Sequence, residues 1–77
     1  MKSILVLGPG CANCRRLAAN AEEAARELGI ECEIRKVTDI NEIVALGVVK
    51  TPGLAVDGRL VSTGKVLSAG EIKKLLQ

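Results

Sequence analysis

A near-continuous aliphatic run, Lys2 to Leu7, constrains the fold of this chain more than any other segment. Its apolar residues are consecutive rather than alternating, and Gly8-Pro9-Gly10 ends the run abruptly. A short apolar run that stops at turn residues is typical of a strand buried inside a sheet. The sequence therefore predicts a buried central strand over residues 2–7, followed by a sharp bend.

The segment after the bend has the periodicity of an amphipathic helix. From about Ala12 to Leu28, small and aliphatic residues recur at spacings of three and four, and charged residues cover the opposite side. Gly29 stands where a glycine commonly follows a helix C-terminus. We therefore predict one helix here. Its apolar stripe consists of Leu17, Ala18, Ala21, Ala24, Ala25 and Leu28.

The middle of the chain alternates between apolar and charged residues. Between Ile30 and Val37 the apolar residues fall at every second position and charged residues stand between them, which predicts a half-exposed edge strand. A short helix should follow. Asp39 is suited to its N-cap, with Glu42 three residues later as in a capping box, and Gly47 ends it.

The last third of the chain contains a hairpin and a helix. Asp57-Gly58 is a strong turn signal, and it predicts two short antiparallel strands over residues 54–56 and 60–62. Thr51-Pro52 precedes this hairpin, and the proline keeps Thr51 out of helical conformation. Ser68 and Glu71 form a second capping box, which predicts a closing helix.

The predicted order of elements is β-α-β-α-β-β-α. Strands joined through a helix should run parallel with a right-handed crossover. We therefore expect an α/β fold, a mixed four-stranded sheet with three helices packed on it. The 77 residues of the chain are expected to form one domain, residues 1–77.

Composition excludes several classes of function. The formal net charge of +2 and the absence of aromatic residues argue against nucleic-acid binding. The first apolar run is too short for a signal peptide or a membrane span, so we expect a cytoplasmic protein without a membrane partner. The chain has no histidine, which removes Ser-His and Cys-His nucleophile pairs.

The candidate reactive groups are Cys11 and Cys14, at the predicted start of the first helix. Unpaired backbone N–H groups and the positive end of a helix stabilise a thiolate, so Cys11 is suited to nucleophilic attack. Cys14 lies one turn along, close enough for a disulfide and more sheltered. Arg15 and Arg16 add positive potential. This arrangement suits thiol–disulfide exchange.

The chain resembles the small archaeal and bacterial thioredoxin-like redox-active disulfide proteins. The likeness rests on Cys11-Ala12-Asn13-Cys14 after the first strand, with Thr51-Pro52 about 40 residues later before a hairpin and a closing helix. It implies a thioredoxin-like fold and a protein-disulfide reductase. In such families the proline is cis and lies beside the first cysteine, so Thr51 and Pro52 would line the substrate site. The implied partners are protein disulfides and an upstream reductase.

The chain also departs from the thioredoxin pattern. Gly10 precedes the first cysteine where thioredoxins carry tryptophan, and Ala12-Asn13 replaces Gly-Pro between the cysteines. Many thioredoxins bury a carboxylate six residues before the first cysteine, where this chain has Leu5. The proton of Cys14 must therefore leave through water or another group.

Other functions for the same cysteines remain open from the sequence. A soft-metal module for Cu(I) or zinc could use both thiolates, but the resembling modules end in a strand, whereas a helix is predicted here. A zinc site shared between two chains, or a redox-sensing interaction domain, could also use them. Cys32 lies on the apolar face of its strand, which favours a packing role. We expect a monomer that needs no cofactor and holds no metal.

Overall fold

The computed structural model describes residues 2–10 and 12–77. Its elements follow the predicted order, with the first strand and the first helix within the predicted bounds. The elements are β1 Lys2–Leu7, α1 Ala12–Leu28, β2 Cys32–Val37, α2 Ile40–Ala45, β3 Gly53–Val56, β4 Arg59–Thr63 and α3 Ala69–Leu76. No helix in the described part of the chain is long and apolar enough to cross a membrane.

The four strands form one sheet in the order β2-β1-β3-β4. β2 is parallel to β1, and the β3–β4 hairpin is antiparallel, as the sequence predicts. β3 also runs antiparallel to β1, with Leu7 opposite Gly53. The α/β fold with a mixed four-stranded sheet and three helices is therefore confirmed, and it is a thioredoxin-like fold.

Two apolar layers explain why β1 lacks alternation. On one face of the sheet, Ile4 and Val6 pack with residues of α1 and α3, including Leu17 and Ile72. On the other face, Leu7 packs with Ile43 of α2. A strand that is covered on both faces must be apolar at consecutive positions.

β2 begins two residues later than the alternation suggests. The N–H of Ile30 donates to the carbonyl of Ala25 at 3.3 Å, so this residue closes the C-terminus of α1 instead of opening the strand. Gly29 makes the reversal possible because its φ is +66°. β2 is an edge strand, as predicted.

Both predicted helix caps are present, although one differs in its partner. Ser68 accepts from the N–H of Glu71 at 3.2 Å, and the Glu71 carboxylate accepts from the Ser68 N–H at 3.3 Å, which completes a capping box. Asp39 caps α2, but its carboxylate accepts from the N–H of Asn41, two residues away, at 2.8 Å.

The hairpin turn is tied to the beginning of β1. Asp57 and Gly58 both have positive φ, +51° and +82°, as a tight two-residue hairpin requires. The Asp57 carboxylate accepts from the Ser3 N–H at 2.9 Å, and the Asp57 N–H donates to the Ser3 carbonyl at 2.7 Å. Lys2 adds an ion pair to Asp57 at 3.5 Å. The turn thus fixes the end of the sheet that lies away from Gly8.

Candidate active site

Gly8, Cys14 and Thr51 meet at the carboxyl end of β1. A Cβ atom placed on Gly8 would overlap Cys14 Sγ, and it would lie 3.3 Å from Cys14 Cβ and 3.8 Å from Thr51 Cβ. Only a glycine therefore leaves the sulfur in its present position. The Gly8 N–H donates to the carbonyl of Val37 at 2.9 Å, which holds this backbone beside β2.

Cys14 lies in the first turn of α1, where its side chain is 5% exposed. Its helical spacing to Leu17 and Ala18 places it on the buried stripe. A cysteine so sheltered cannot meet a large substrate directly. It can, however, react with a neighbouring sulfur on the same chain.

The Thr51–Pro52 segment enters the sheet beside Gly8. The peptide bond between these residues is cis, as the family resemblance implies, and Pro52 is buried. β3 starts at the next residue, Gly53, whose backbone faces Leu7 of β1. A Cβ on Gly53 would lie 3.0 Å from a methyl group of Val48, so the chain also passes closely here. The structure thus brings Thr51 near Cys14 from a distant part of the sequence.

A small cavity of about 20 Å³ adjoins Cys14. Charged and polar side chains border it on the solvent side, because Arg15, Lys36 and Thr38 are exposed. The full lining is Val6, Gly8, Gly10, Cys14, Arg15, Lys36 and Thr38. Its surroundings are therefore cationic, and no carboxylate borders it among the described residues.

Cys11, the expected nucleophile, lies outside the described residues. α1 begins at Ala12, the residue that follows Cys11 in the sequence. The predicted pairing of Cys11 with Cys14 stays a prediction. Arg15, which was also expected to contribute positive potential, borders the cavity beside Cys14, whereas Arg16 does not.

Cys32 lies at the opposite end of the sheet. It pairs in register with Lys2, whereas the site adjoins the end at which Leu7 pairs with Val37. It is half-buried, packs against the main apolar core, and makes no disulfide with a described residue. Burial raises the pKa of the Cys32 thiol, partly offset by the nearby Lys2 ammonium. These features favour packing over reactivity.

Three residues that border the site were not predicted from the sequence to do so. Gly8 was assigned to a bend, and its contact with Cys14 depends on folding that a local pattern does not reveal. Lys36 could have been noticed in the sequence, because it is charged although it falls on the same face of the strand as the apolar Cys32 and Ile34. No pattern in the sequence indicated that Thr38 would lie at the site.

A wider groove of about 760 Å³ lies between β4 and α3. Its polar lining includes Ser62, Lys65 and Glu71, and it contains no cysteine. The groove therefore offers no group for thiol chemistry. Across residues 2–10 and 12–77, no three side chains of the His, Cys, Asp or Glu types come together as metal ligands would.

A sheltered thiol in the first turn of α1, with the cis Thr51–Pro52 segment also beside Gly8, is typical of thioredoxin-like redox proteins. The comparison with known proteins agrees, because the family model described as thioredoxin domain matches residues 2–77. The thioredoxin of Methanothermobacter thermautotrophicus is 49% identical over 76 residues, which cover 99% of each chain. The thioredoxin of Methanocaldococcus jannaschii is 47% identical over 77 residues, which cover all of this chain and 88% of the relative.

The chain belongs to the thioredoxin family. It is a thiol–disulfide oxidoreductase that acts as a disulfide reductase, with protein disulfides and a reductase as its general partners. The family match does not support the soft-metal alternative. The resembling metal modules end in a strand, and this chain closes with the helix Ala69–Leu76.

Proposed function

We propose that Cys11 is the attacking thiol of this reductase and that Cys14 is the resolving thiol. The observation that carries the assignment is the burial of Cys14, which is 5% exposed and packed against Gly8. A protein disulfide from solution cannot reach such a sulfur. Cys11 directly precedes α1, where the N–H groups of the first turn favour a thiolate.

The proposed reaction has two exchange steps. The Cys11 thiolate attacks one sulfur of the substrate disulfide, forms a mixed disulfide and releases the other substrate sulfur as a thiolate. The Cys14 thiolate then attacks Cys11 Sγ, which forms the Cys11–Cys14 disulfide and releases the second substrate thiolate. Two electrons pass to the substrate, and an upstream reductase returns them to the dithiol.

The Thr51–Pro52 segment is the proposed substrate platform. Thr51 is half-buried beside Gly8, and Pro52 has no N–H that could donate to the sulfur. Val49, two residues before Thr51, is 93% exposed and offers apolar contact to a protein chain. An extended substrate segment could therefore align along this loop.

The remaining proposals concern the setting of the reaction. We infer that the protein works as a monomer in the reducing cytoplasm, because a dithiol reductase needs its cysteines returned to the reduced state. Neither a nucleic acid nor a membrane is a proposed partner. The chain's net charge of +2 supplies little attraction to either.

Trapping the mixed disulfide tests the assignment of the two thiols. Cys14→Ser should accumulate a covalent complex with a disulfide-containing protein, because nothing resolves the bond at Cys11. Cys11→Ser should form none, since Cys14 is buried. Non-reducing electrophoresis and mass spectrometry would identify the joined peptides.

Cys32→Ala is the matched control for this trapping experiment. It removes the third thiol, which lies away from the site, so it should turn over substrate like the wild type. A stable complex formed through Cys14 in Cys11→Ser would reverse the proposed roles.

A further inference from the structure

Within the described chain, the outer edge of β4 has no strand partner. β4 is the last strand in the order β2-β1-β3-β4, so the sheet leaves the backbone groups on its outer side unpaired. An edge of this kind can add an extended segment of another protein as a further strand. β4 spans five residues, Arg59–Thr63, so about 17 Å of such a segment could pair with it.

α3 forms a wall beside this edge, which makes a groove of about 760 Å³. On α3, Lys73 is directed toward α1, where its ammonium lies 2.9 Å from the Glu27 carboxylate. The next two residues, Lys74 and Leu75, line the groove instead, and Val61 of β4 adds a second apolar side chain. The volume lies in the range of ligand-binding clefts, about 300–1,000 Å³.

One end of the groove adjoins the Thr51–Pro52 segment. Thr63, the last residue of β4, is opposite Gly53, which directly follows Pro52. The next residue along the chain, Gly64, donates its N–H to the carbonyl of Pro52 at 2.8 Å. A protein segment that leaves the proposed substrate platform can therefore continue into the groove.

The groove carries more positive than negative charge. Its lining contains Lys65 and Lys74, and the only carboxylate there among the described residues is that of Glu71. That carboxylate accepts from the Ser68 N–H at 3.3 Å and from the Ser68 hydroxyl at 3.2 Å, so it caps α3. Neither lysine takes part in an ion pair of the described chain. The charge therefore favours an acidic occupant, whereas a second copy of this chain would bring like charges together.

We propose that the groove between β4 and α3 binds an extended acidic segment of a protein substrate, which pairs with β4 as a further strand while the substrate disulfide lies at Cys11. Lys65 and Lys74 attract the segment, and Val61 and Leu75 contact its apolar side chains. The inference rests on the proposed role of Cys11. It identifies protein disulfides flanked by an acidic extended segment as the substrates that this reductase reduces fastest.

Activated synthetic peptides test this preference. Each peptide carries one cysteine as a mixed disulfide with a thiopyridyl group, whose release as a coloured thione reports the attack by Cys11. A short glycine-serine spacer joins this cysteine to a segment in which valine alternates with glutamate, glutamine or lysine. The segment stands before the cysteine in one series and after it in another. Rates are measured with the reduced Cys32→Ala protein at low and high salt.

The glutamate peptide should react fastest. In at least one orientation we expect it to react about threefold to tenfold faster than the glutamine peptide at low salt, and high salt should reduce this advantage. Lys65→Gln combined with Lys74→Gln should remove the advantage. Lys65→Glu combined with Lys74→Glu should transfer it to the lysine peptide.

Methylation of alternate backbone nitrogens in the glutamate peptide tests the pairing with β4. Only one of the two alternate sets of peptide N–H groups can face the strand, so methylation of that set should remove the advantage and methylation of the other set should not. An advantage that survives methylation of either set would overturn the pairing.

Lys73→Gln is the matched control for the lysine variants. It removes the same charge from the adjacent position of α3, where the ammonium contacts Glu27, so the glutamate peptide should keep its advantage. Dipyridyl disulfide is small and uncharged and releases the same thione, so every lysine variant should react with it at the rate of the parent protein.

Equal rates for the glutamate and glutamine peptides in both orientations would overturn the docking groove. An equal loss of the advantage in Lys73→Gln would also overturn it. A parallel loss of reactivity toward dipyridyl disulfide would do the same, because the lysines would then act on the thiol. If Cys11→Ser reacted with the glutamine peptide as fast as its parent, the proposed role of Cys11 would be wrong instead.

Discussion

Single atoms decide whether the Cys14 sulfur can occupy its place. Gly8 has no side chain, and the space that a Cβ would need is taken by Cys14 Sγ. The backbone of Gly8 does not have positive φ, so an alanine would suffer no conformational strain there. The requirement for glycine is therefore steric and comes from the Cys14 side chain, above all from its sulfur.

Gly8→Ala should displace Cys14 Sγ. The gain of about 0.4–1 kcal/mol from a stiffer unfolded chain is opposed by an overpacking cost of about 1–3 kcal/mol. We expect a net loss of about 1 kcal/mol in the free energy of unfolding. The attack of the Cys14 thiolate on Cys11 Sγ should slow about a hundredfold, because a displacement of a reacting atom by about 1 Å has an effect of that size.

Gly70→Ala is the control for this substitution. Among the described residues, a Cβ at Gly70 would meet only Ser68 Oγ, at 3.8 Å. Alanine favours the helix, so stability should rise by about 0.5 kcal/mol, and the attack of Cys14 on the Cys11 sulfur should keep its rate. Chemical denaturation measures the stability. Reaction of the reduced protein with excess of a symmetrical nitroaromatic disulfide measures the attack by Cys14, as the second phase whose rate does not depend on reagent concentration. A wild-type resolving rate in Gly8→Ala would refute the steric requirement.

At the scale of elements, the β3–β4 hairpin is joined to β1 by a charged turn. The backbone hydrogen bond from Ser3 holds the pKa of the Asp57 carboxyl below its usual range, and the Lys2 ammonium acts in the same direction. A carboxyl whose pKa is lowered by folding stabilises the fold when it is ionised. That contribution is present above about pH 4 and is lost as pH falls through the lower, folded value.

Asp57→Asn should remove this pH dependence while preserving the turn. Asparagine tolerates positive φ, and its side-chain oxygen can still accept from the Ser3 N–H. We expect the wild type to be more stable near neutral pH and the difference to shrink below about pH 4. Urea unfolding followed by circular dichroism across this range measures it, and a constant difference at every pH would contradict the linkage.

The helices and strands could be predicted from the sequence, whereas some contacts of the site could not. Three local patterns predicted elements: the apolar run of β1, the apolar stripe of α1 and the Asp57-Gly58 turn. Each of these elements lies where its pattern predicted. The contacts of Cys14 depend instead on register and on chain segments far apart in sequence. The start of β2 was misplaced because Ile30 closes α1, a backbone competition that alternation does not reveal.

Across the whole molecule, small residues replace the aromatic side chains that the chain lacks. α1 presents buried Ala18, Ala21 and Ala24 toward the core, where Ile4, Leu54 and Ile72 supply the larger side chains. Small residues allow the helices to lie close to the sheet.

The protein contains three cysteines, and their proposed roles are unequal. Cys14 is buried at the site, and Cys32 packs at the far end of the sheet. Cys11 is assigned from the sequence and the family resemblance. We propose that Cys11 and Cys14 form a reversible disulfide while Cys32 remains a thiol.

An equilibrium titration of the wild-type protein against a dithiol buffer, with the thiols trapped and counted by mass, tests this claim most directly. Two trapped thiols should disappear together as the buffer becomes oxidising. Peptide mapping should place the disulfide between Cys11 and Cys14 and leave Cys32 alkylated. A disulfide that includes Cys32, or three thiols that persist throughout the titration, would contradict it.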